Sequence, residues 1–91
     1  MTLSNRKIKL SENCVVQQMG EGIVILNLDT ERFYELNEVG KRIMELFADN
    51  NDYKTVLNTL VEEYTVTVKQ LEGDMFQLIT DLEKAELIEA V

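Results

Sequence analysis

The chain has 91 residues, of which 45% are hydrophobic and 29% charged, and its formal net charge is −8. A chain of this length fits one domain with a thin core, so we expect a single domain over residues 1–91. The longest apolar run, residues 23–26, is far shorter than the ~20 residues that cross a bilayer. Residues 1–7 are basic but lead into no apolar segment of the secretory type. We therefore expect a cytoplasmic protein without a membrane partner.

The composition also argues against catalysis. Histidine is absent, which excludes Ser-His and Cys-His nucleophile pairs and nearly all zinc sites. Cys14, the only cysteine, lies in an apolar run without nearby cations, and we interpret it as a small buried hydrophobe rather than a reactive thiol. Residues 20–22 (GEG) lack the Lys-Ser/Thr pair of a phosphate-binding loop. We predict a non-catalytic protein with no cofactor and no metal.

The negative charge is concentrated in the second part of the chain. Residues 1–37 carry five acids and four bases, hence −1, whereas residues 38–91 carry twelve acids and five bases, hence −7. Such a surface repels nucleic acid and anionic membranes and favours a cationic partner. Acidic helices that are simply well solvated remain an equal alternative.

The first third of the chain has the pattern of a strand meander. A short strand is expected after a frayed, basic N-terminus, and residues 20–22 supply a turn between the next two strands. Residues 23–28 are apolar at almost every position, which is typical of a central strand covered on both faces. In the last strand, alternation puts Phe33 and Glu35 on one face and Tyr34 and Leu36 on the other. The predicted strands are residues 8–10, 13–19, 23–28 and 32–36.

Helical periodicity dominates the remainder, with helices predicted at about 38–48, 53–64 and 68–86. Asn37 suits the N-cap of the first helix, Asp52 that of the second, and Thr67 with Gln70 has capping-box spacing for the third. The centre of the third helix's apolar face is predicted to hold Val68, Met75, Ile79 and Leu82. The apolar pair at residues 87–88 forms a final hydrophobic patch.

A three-stranded antiparallel sheet followed by three helices is an α+β fold of winged helix-turn-helix-like form. That architecture makes a DNA-binding regulator an alternative hypothesis. Its recognition helix would be the third, which contains two basic residues, Lys69 and Lys84, and five acidic residues, so its net charge is −3. A duplex binder needs several Lys or Arg against the phosphates, so charge disfavours this hypothesis and we expect no nucleic-acid partner.

Residues 32–43 (RFYELNEVGKRI) resemble the signature of PqqD-like proteins, also called RiPP recognition elements. That signature is an aromatic pair, Leu-Asn, a variable residue, a small or apolar residue and Gly, followed by a helix containing Ile. Gly73, inside the third helix, departs from the family pattern, which has a better helix former there. The similarity covers roughly residues 8–90, and later positions agree with it at Val56, Leu60, Glu63, Tyr64, Leu71, Asp74, Leu78, Ile79 and Leu82.

The resemblance implies a function. PqqD-like proteins bind the leader segment of a ribosomally synthesised precursor peptide and deliver it to a maturation enzyme, such as a leader peptidase, a cyclase or a radical-SAM protein. The leader pairs as an extra strand on the last strand of the sheet, beside the third helix. A lasso-peptide pathway is the first candidate. An acidic protein–protein adaptor without a peptide substrate is a further alternative.

The same resemblance implies a peptide-binding site on the last strand and one flank of the third helix. An edge strand offers unpaired backbone groups to an added strand. On the flank, Leu78 would contact an apolar leader residue, while Asp74 and Asp81 would meet a basic one; core packing and a solvated face are the alternatives. Phe76, an aromatic residue on the other flank and well off the centre of the apolar face, is the competing candidate for an exposed anchor. The predicted site residues are Arg32, Phe33, Tyr34, Glu35, Leu36, Asp74, Leu78 and Asp81.

Overall fold

The computed structural model describes residues 7–90, so residues 1–6 of the predicted frayed N-terminus lie outside the described part. Antiparallel strands beside three helices confirm the α+β class. The winged helix-turn-helix arrangement stays a prediction. The elements are β1 (Ile8–Leu10), β2 (Cys14–Met19), β3 (Gly22–Asn27), β4 (Phe33–Leu36), α1 (Glu38–Ala48), α2 (Tyr53–Glu63), α3 (Val68–Lys84) and β5 (Ile88–Ala90).

The strands form two sheets rather than one. The predicted meander is present as a three-stranded antiparallel sheet in the order β2-β3-β4. β1 pairs separately with β5, with Ile8 opposite Ala90 and Leu10 opposite Ile88. The sequence pattern shows only a hydrophobic patch at residues 87–88, because three residues are too few to display strand alternation. The prediction of a single N-terminal sheet is corrected accordingly.

The β2-β3-β4 sheet has an inner face toward the helices and an outer face toward solvent. The inner face carries the side chains of Cys14, Val16, Gln18, Ile23, Ile25, Asn27, Tyr34 and Leu36. The outer face carries those of Val15, Gln17, Met19, Val24, Leu26, Phe33 and Glu35. Ile25 is fully buried, whereas Phe33 is 61% exposed. The prediction that residues 23–28 are covered on both faces is therefore wrong, because Val24 and Leu26 are only half-buried, between neighbouring strands.

Two residues fix the direct passage from β4 into α1. Asn37 is the N-cap, and its Oδ1 accepts a hydrogen bond from the Gly40 N–H at 2.9 Å, which confirms the predicted cap. Gly40 lies against Leu36, and a Cβ at residue 40 would stand 2.9 Å from the Leu36 side chain. Glycine therefore allows α1 to pack closely on the end of β4.

The third helix begins as predicted but ends earlier. Thr67 caps it by accepting from the Gln70 N–H at 3.1 Å. The helix stops at Lys84 because Glu86 adopts a left-handed conformation with φ of 61°. The N–H of Glu86 then donates to the Glu83 carbonyl and that of Leu87 to the Leu82 carbonyl, both at 3.0 Å. This pair of hydrogen bonds is a Schellman motif, which turns the chain from α3 into β5.

The first turn of α3 also differs from the predicted apolar face. Val68 is 47% exposed, whereas Met75, Ile79 and Leu82 are buried as predicted. Periodicity gives the direction of a helix face but not how far along the helix the core extends. The buried residue nearest the start of α3 is Leu71.

Asn27 anchors the end of α3 to the sheet. It is the one buried polar residue within residues 7–90. Its Nδ2 donates to the Glu86 carbonyl at 2.9 Å, and its Oδ1 accepts from the N–H groups of Asp29 and Thr30 at 2.9 and 3.1 Å. All its polar atoms are thus satisfied, and the C-terminal end of α3 is held beside β3.

None of the helices between residues 7 and 90 combines the length and the apolar character that spanning a membrane requires.

Candidate functional site

One edge of the three-stranded sheet, β4, presents free backbone groups. Within residues 7–90, β4 pairs with β3 alone. The Asn27 N–H donates to the Arg32 carbonyl at 2.9 Å, and this sets the alternation along the ladder. Tyr34 and Leu36 therefore direct their backbone groups toward β3, while the N–H and C=O of Phe33 and Glu35 point away from the sheet. Four unpaired backbone groups thus line this edge.

Helix α3 runs beside this edge and is joined to it by side chains. The Tyr34 hydroxyl donates to Oδ2 of Asp81 at 3.1 Å. Arg32 Nη1 donates to the Lys84 carbonyl at 2.8 Å, where it satisfies one of the free carbonyls at the helix C-terminus. These two bonds hold the helix next to β4 without closing the space between them.

Two cavities lie along the resulting groove. The first, of about 470 Å³, is bounded by β4, the start of α1, the α2–α3 connection and α3. The second, of about 540 Å³, lies between the start of β4 and the C-terminal end of α3. Tyr34 lines both, so its bond to Asp81 divides the groove. The first cavity is lined by Tyr34, Glu35, Leu36, Asn37, Val39, Gly40, Ile43, Tyr64, Val66, Leu71, Asp74 and Leu78.

The acidic groups along the groove differ in their bonding. Both oxygens of Asp81 accept hydrogen bonds, one from Tyr34 and the other from Gln77 at 2.9 Å. The carboxylate of Asp74, like that of Glu35 on the outer face, has no hydrogen bond or ion pair to any described residue. A cationic ligand in the groove would therefore find Asp74 available, and would compete with Tyr34 and Gln77 for Asp81.

The surroundings of Tyr34 raise the pKa of its hydroxyl. Burial raises the pKa of its hydroxyl, and the bond to the Asp81 carboxylate raises that pKa further. The protonated phenol is thus the form that the folded protein stabilises, so the connection between β4 and α3 is complete at neutral pH.

The structure brings all eight predicted site residues together along the two cavities. Tyr34, Leu36, Asp74, Leu78 and Asp81 border the groove, as do the backbone of Phe33 and Glu35. Arg32 lies before β4, lines the second cavity and donates to the Lys84 carbonyl. Phe33 also lines the second cavity, and its side chain lies on the outer face of the sheet.

Several groove residues were not among the predicted set. The competing Phe76 is 51% exposed and lines neither cavity. In the first cavity, the residues that the prediction missed are Asn37, Val39, Gly40, Ile43, Tyr64, Val66 and Leu71. In the second cavity they are Glu31, Lys84 and Ala85. Val66 interrupts the helical pattern between α2 and α3, and a β-branched residue in a connection was the available signal that it packs there.

The opposite edge of the sheet, β2, borders a different cavity. This cavity, of about 380 Å³, lies between β1, the inner face and α1. Lys9 and Lys41 are among its lining residues, but Lys9 forms an ion pair with Glu89 at 3.2 Å. None of the predicted site residues borders it.

No described residues form a recognisable metal or nucleophile centre. No cluster of three His, Cys, Asp or Glu side chains able to hold a metal occurs between residues 7 and 90. Cys14 is half-buried and donates weakly to the Leu87 carbonyl at 3.6 Å. Burial raises the pKa of its thiol, which disfavours the reactive thiolate.

A free strand edge beside a helical wall is the geometry that many proteins use to bind an extended peptide. The family model described as coenzyme PQQ synthesis protein D (PqqD) matches residues 22–88. This chain belongs to that family, and its recognition as PqqD-like is confirmed. No curated protein sequence gives a significant match.

Two solved structures have the same fold. TbiB1 in complex with the TbiA(beta) leader peptide matches with a TM-score of 0.81 and 27% identity, over 89% of this chain and 94% of TbiB1. A lasso peptide synthetase B1 complexed with the leader peptide matches with a TM-score of 0.82 and 24% identity, over 91% of this chain and 98% of that structure's chain.

Proposed function

We propose that this protein binds the leader segment of a ribosomally synthesised precursor peptide as an added strand on β4. The observation that carries the proposal is the row of four unpaired backbone groups on Phe33 and Glu35, which opens onto the groove beside α3. The related TbiB1, which was solved with a leader peptide bound, supports it.

In this arrangement, backbone bonds to Phe33 and Glu35 provide affinity without depending on peptide sequence. Alternate peptide side chains then point inward. A side chain opposite Leu36 enters the first cavity, where Leu71 and Leu78 offer apolar contacts and Asp74 offers a charge. An apolar or basic inward residue suits that lining.

We further propose that the protein is a non-catalytic, cytoplasmic carrier. It would deliver the bound precursor to a maturation enzyme, such as a leader peptidase, a cyclase or a radical-SAM protein. The family resemblance makes a lasso-peptide pathway the first candidate. The net charge of −8 supports a peptide partner over a nucleic-acid partner, because phosphate contacts require local positive charge.

The test is an amide NMR titration of the labelled protein with the leader segment of the precursor peptide encoded beside it. We expect the largest shifts within residues 32–37 and 72–82. Shifts confined to β2 and residues 8–10 would move the site to the opposite edge, and shifts confined to α1 and α2 would contradict a groove at β4.

A second measurement separates strand addition from side-chain docking. Leader peptides are synthesised with a single backbone amide replaced by an ester, one position at a time. Each ester removes one N–H donor and leaves the side chains intact. We expect affinity to fall at alternate positions only, by about fivefold to tenfold per lost bond. Uniform tolerance of the esters would exclude strand pairing.

A further inference from the structure

We infer that the outer face of β4 selects the leader as well: Glu35 and Phe33 specify a basic residue and an apolar residue, two positions apart, on the solvent side of the bound strand. This inference rests on the proposed strand addition. It concerns the side chains on the outer face of the sheet, opposite the face that carries Tyr34 and Leu36.

The register of the sheet carries the inference. Phe33 is opposite Leu26, which is opposite Val15, so one row across the outer face is entirely apolar. Glu35 starts the next row, with Val24 and then Gln17 beyond it.

Both rows end at β4, and a strand added there would extend each of them by one residue. Because the free backbone groups belong to Phe33 and Glu35, the pairing that binds the peptide also aligns its outward residues with these two side chains. In either strand direction the two aligned peptide residues are two positions apart.

The chemistry of each position follows from exposure and charge. Phe33 is 61% exposed, and a neighbouring apolar or aromatic residue on an added strand would cover part of the ring. The exposed Glu35 carboxylate has no hydrogen bond or ion pair to a described residue, and no other charged side chain lies on the outer face of the sheet. A Lys or Arg directly beside it gains an attraction that an acidic residue would turn into repulsion.

These outward positions would discriminate between leaders that the groove accepts equally. The interaction energy of a single side-chain pair on a sheet surface is modest, so we expect each pair to change affinity by about threefold to tenfold. The pairs also fix the register of the bound peptide, since a shift by one residue would place its inward side chains on the outer face.

The inference is tested with a charge scan of the same leader peptide. Each position is replaced in turn by Lys and by Glu, and binding is measured to the wild type and to Glu35→Lys. At one position we expect the wild type to prefer Lys over Glu, and Glu35→Lys to reverse that preference. The peptide position two residues away is replaced by Phe and by Ser. There we expect the wild type to prefer Phe over Ser, and Phe33→Thr to remove that preference.

Glu62→Lys is the matched control, because it makes the same charge change on an exposed helix position away from the sheet. It should shift all charged peptides uniformly and reverse no single position. If the peptides perturb the β4 amides but no position reverses with Glu35→Lys, the inference is overturned and strand addition stands. If no peptide perturbs β4, the proposed function and the inference fail together.

Discussion

The two edges of the β2-β3-β4 sheet differ in how their free backbone groups relate to their side chains. On β4 the free groups belong to Phe33 and Glu35, whose side chains lie on the outer face. On β2 the bond from the Leu28 N–H to the Asn13 carbonyl sets the opposite phase, so the residues that direct backbone groups away from the sheet are Cys14, Val16 and Gln18, which carry inner-face side chains. The Cys14 N–H is already used, because it donates to the Ser11 carbonyl at 3.3 Å.

The edges also differ in what holds them. The β4 edge is linked to α3 by the Tyr34–Asp81 bond and the Arg32–Lys84 bond. β2 is longer, and five of its six residues are exposed. A strand adding to β4 would meet an edge already positioned beside a helix, whereas β2 offers a longer edge with little beside its solvent side. Pre-positioning lowers the ordering cost of binding, which favours β4 as the peptide site.

The largest expected effect comes from breaking the β3–β4 pairing. A Cβ at residue 22 would overlap the Leu36 carbonyl oxygen, so Gly22→Ala must separate the two strands. We expect the free energy of unfolding to fall by about 3 kcal/mol, measured by urea denaturation. Gly20→Asn is the control, because residue 20 has a positive φ that Asn tolerates and open space around it. Equal losses in both variants would contradict the close approach at residue 22.

A matched pair of truncations compares the two edges directly. Leu78→Ala removes apolar surface from the β4 groove, and Val16→Ala removes it from the cavity near β2. We expect Leu78→Ala to weaken leader binding about tenfold, corresponding to roughly 1.4 kcal/mol of lost apolar contact, and Val16→Ala to leave it unchanged. Calorimetric titration with the leader peptide measures both. The reverse pattern would assign the peptide to β2.

Removing the Tyr34 hydroxyl tests the connection between β4 and α3. Tyr34→Phe deletes the bond to Asp81 and should lower the free energy of unfolding by about 1 kcal/mol near neutral pH. Because the folded state raises the pKa of Tyr34, its contribution is fully present below the pKa of the unfolded chain, about 10, and is lost as pH rises beyond it.

The same variant therefore has a pH signature. The wild type should lose stability above about pH 10, and Tyr34→Phe should lose less of it. Tyr53 and Cys14, whose pKa values burial also raises, are retained in both proteins and contribute to the remaining alkaline loss. Identical alkaline profiles by thermal denaturation would show that folding does not raise the pKa of Tyr34.

The smallest expected effect is a gain in stability from a substitution in α3. Gly73 lies inside α3, is exposed, and has nothing within 4 Å of the position that a Cβ would occupy. Gly73→Ala should raise the free energy of unfolding by roughly 0.5–1 kcal/mol through helix propensity. Because residue 73 lines neither groove cavity, leader affinity should not change. A loss of affinity would instead indicate that the peptide approaches this part of the helix.

Much of the local structure follows from short-range rules. The cap at Asn37, the cap at Thr67 and the helix faces through Met75 and Ile79 are confirmed, because each depends on residues within a turn or two of one another. The sequence patterns do not predict β5, and they predict that β3 is buried on two faces instead of one. Both features depend on partners distant in the chain: β5 pairs with a strand about 80 residues earlier.

The candidate site shows the same division. Alternation along residues 33–36 separates Phe33 and Glu35 from Tyr34 and Leu36, and periodicity aligns Asp74, Leu78 and Asp81 on one flank. Neither pattern tells which flank faces β4, nor that Asp81 is occupied by Tyr34 and Gln77 while Asp74 is not.

By itself, the sequence determined the three helices and the first four strands, the helix caps, the acidic helices and the resemblance to the PqqD family, because these depend on residue type and spacing within short segments. Tertiary structure alone decided which edge of the sheet lies beside α3 and which face stays open. It also decided which carboxylates remain unpaired. The reason is physical: Asn27 holding the Glu86 carbonyl, and Arg32 reaching Lys84, join segments more than 50 residues apart. No local pattern encodes such contacts, and they set the groove in place.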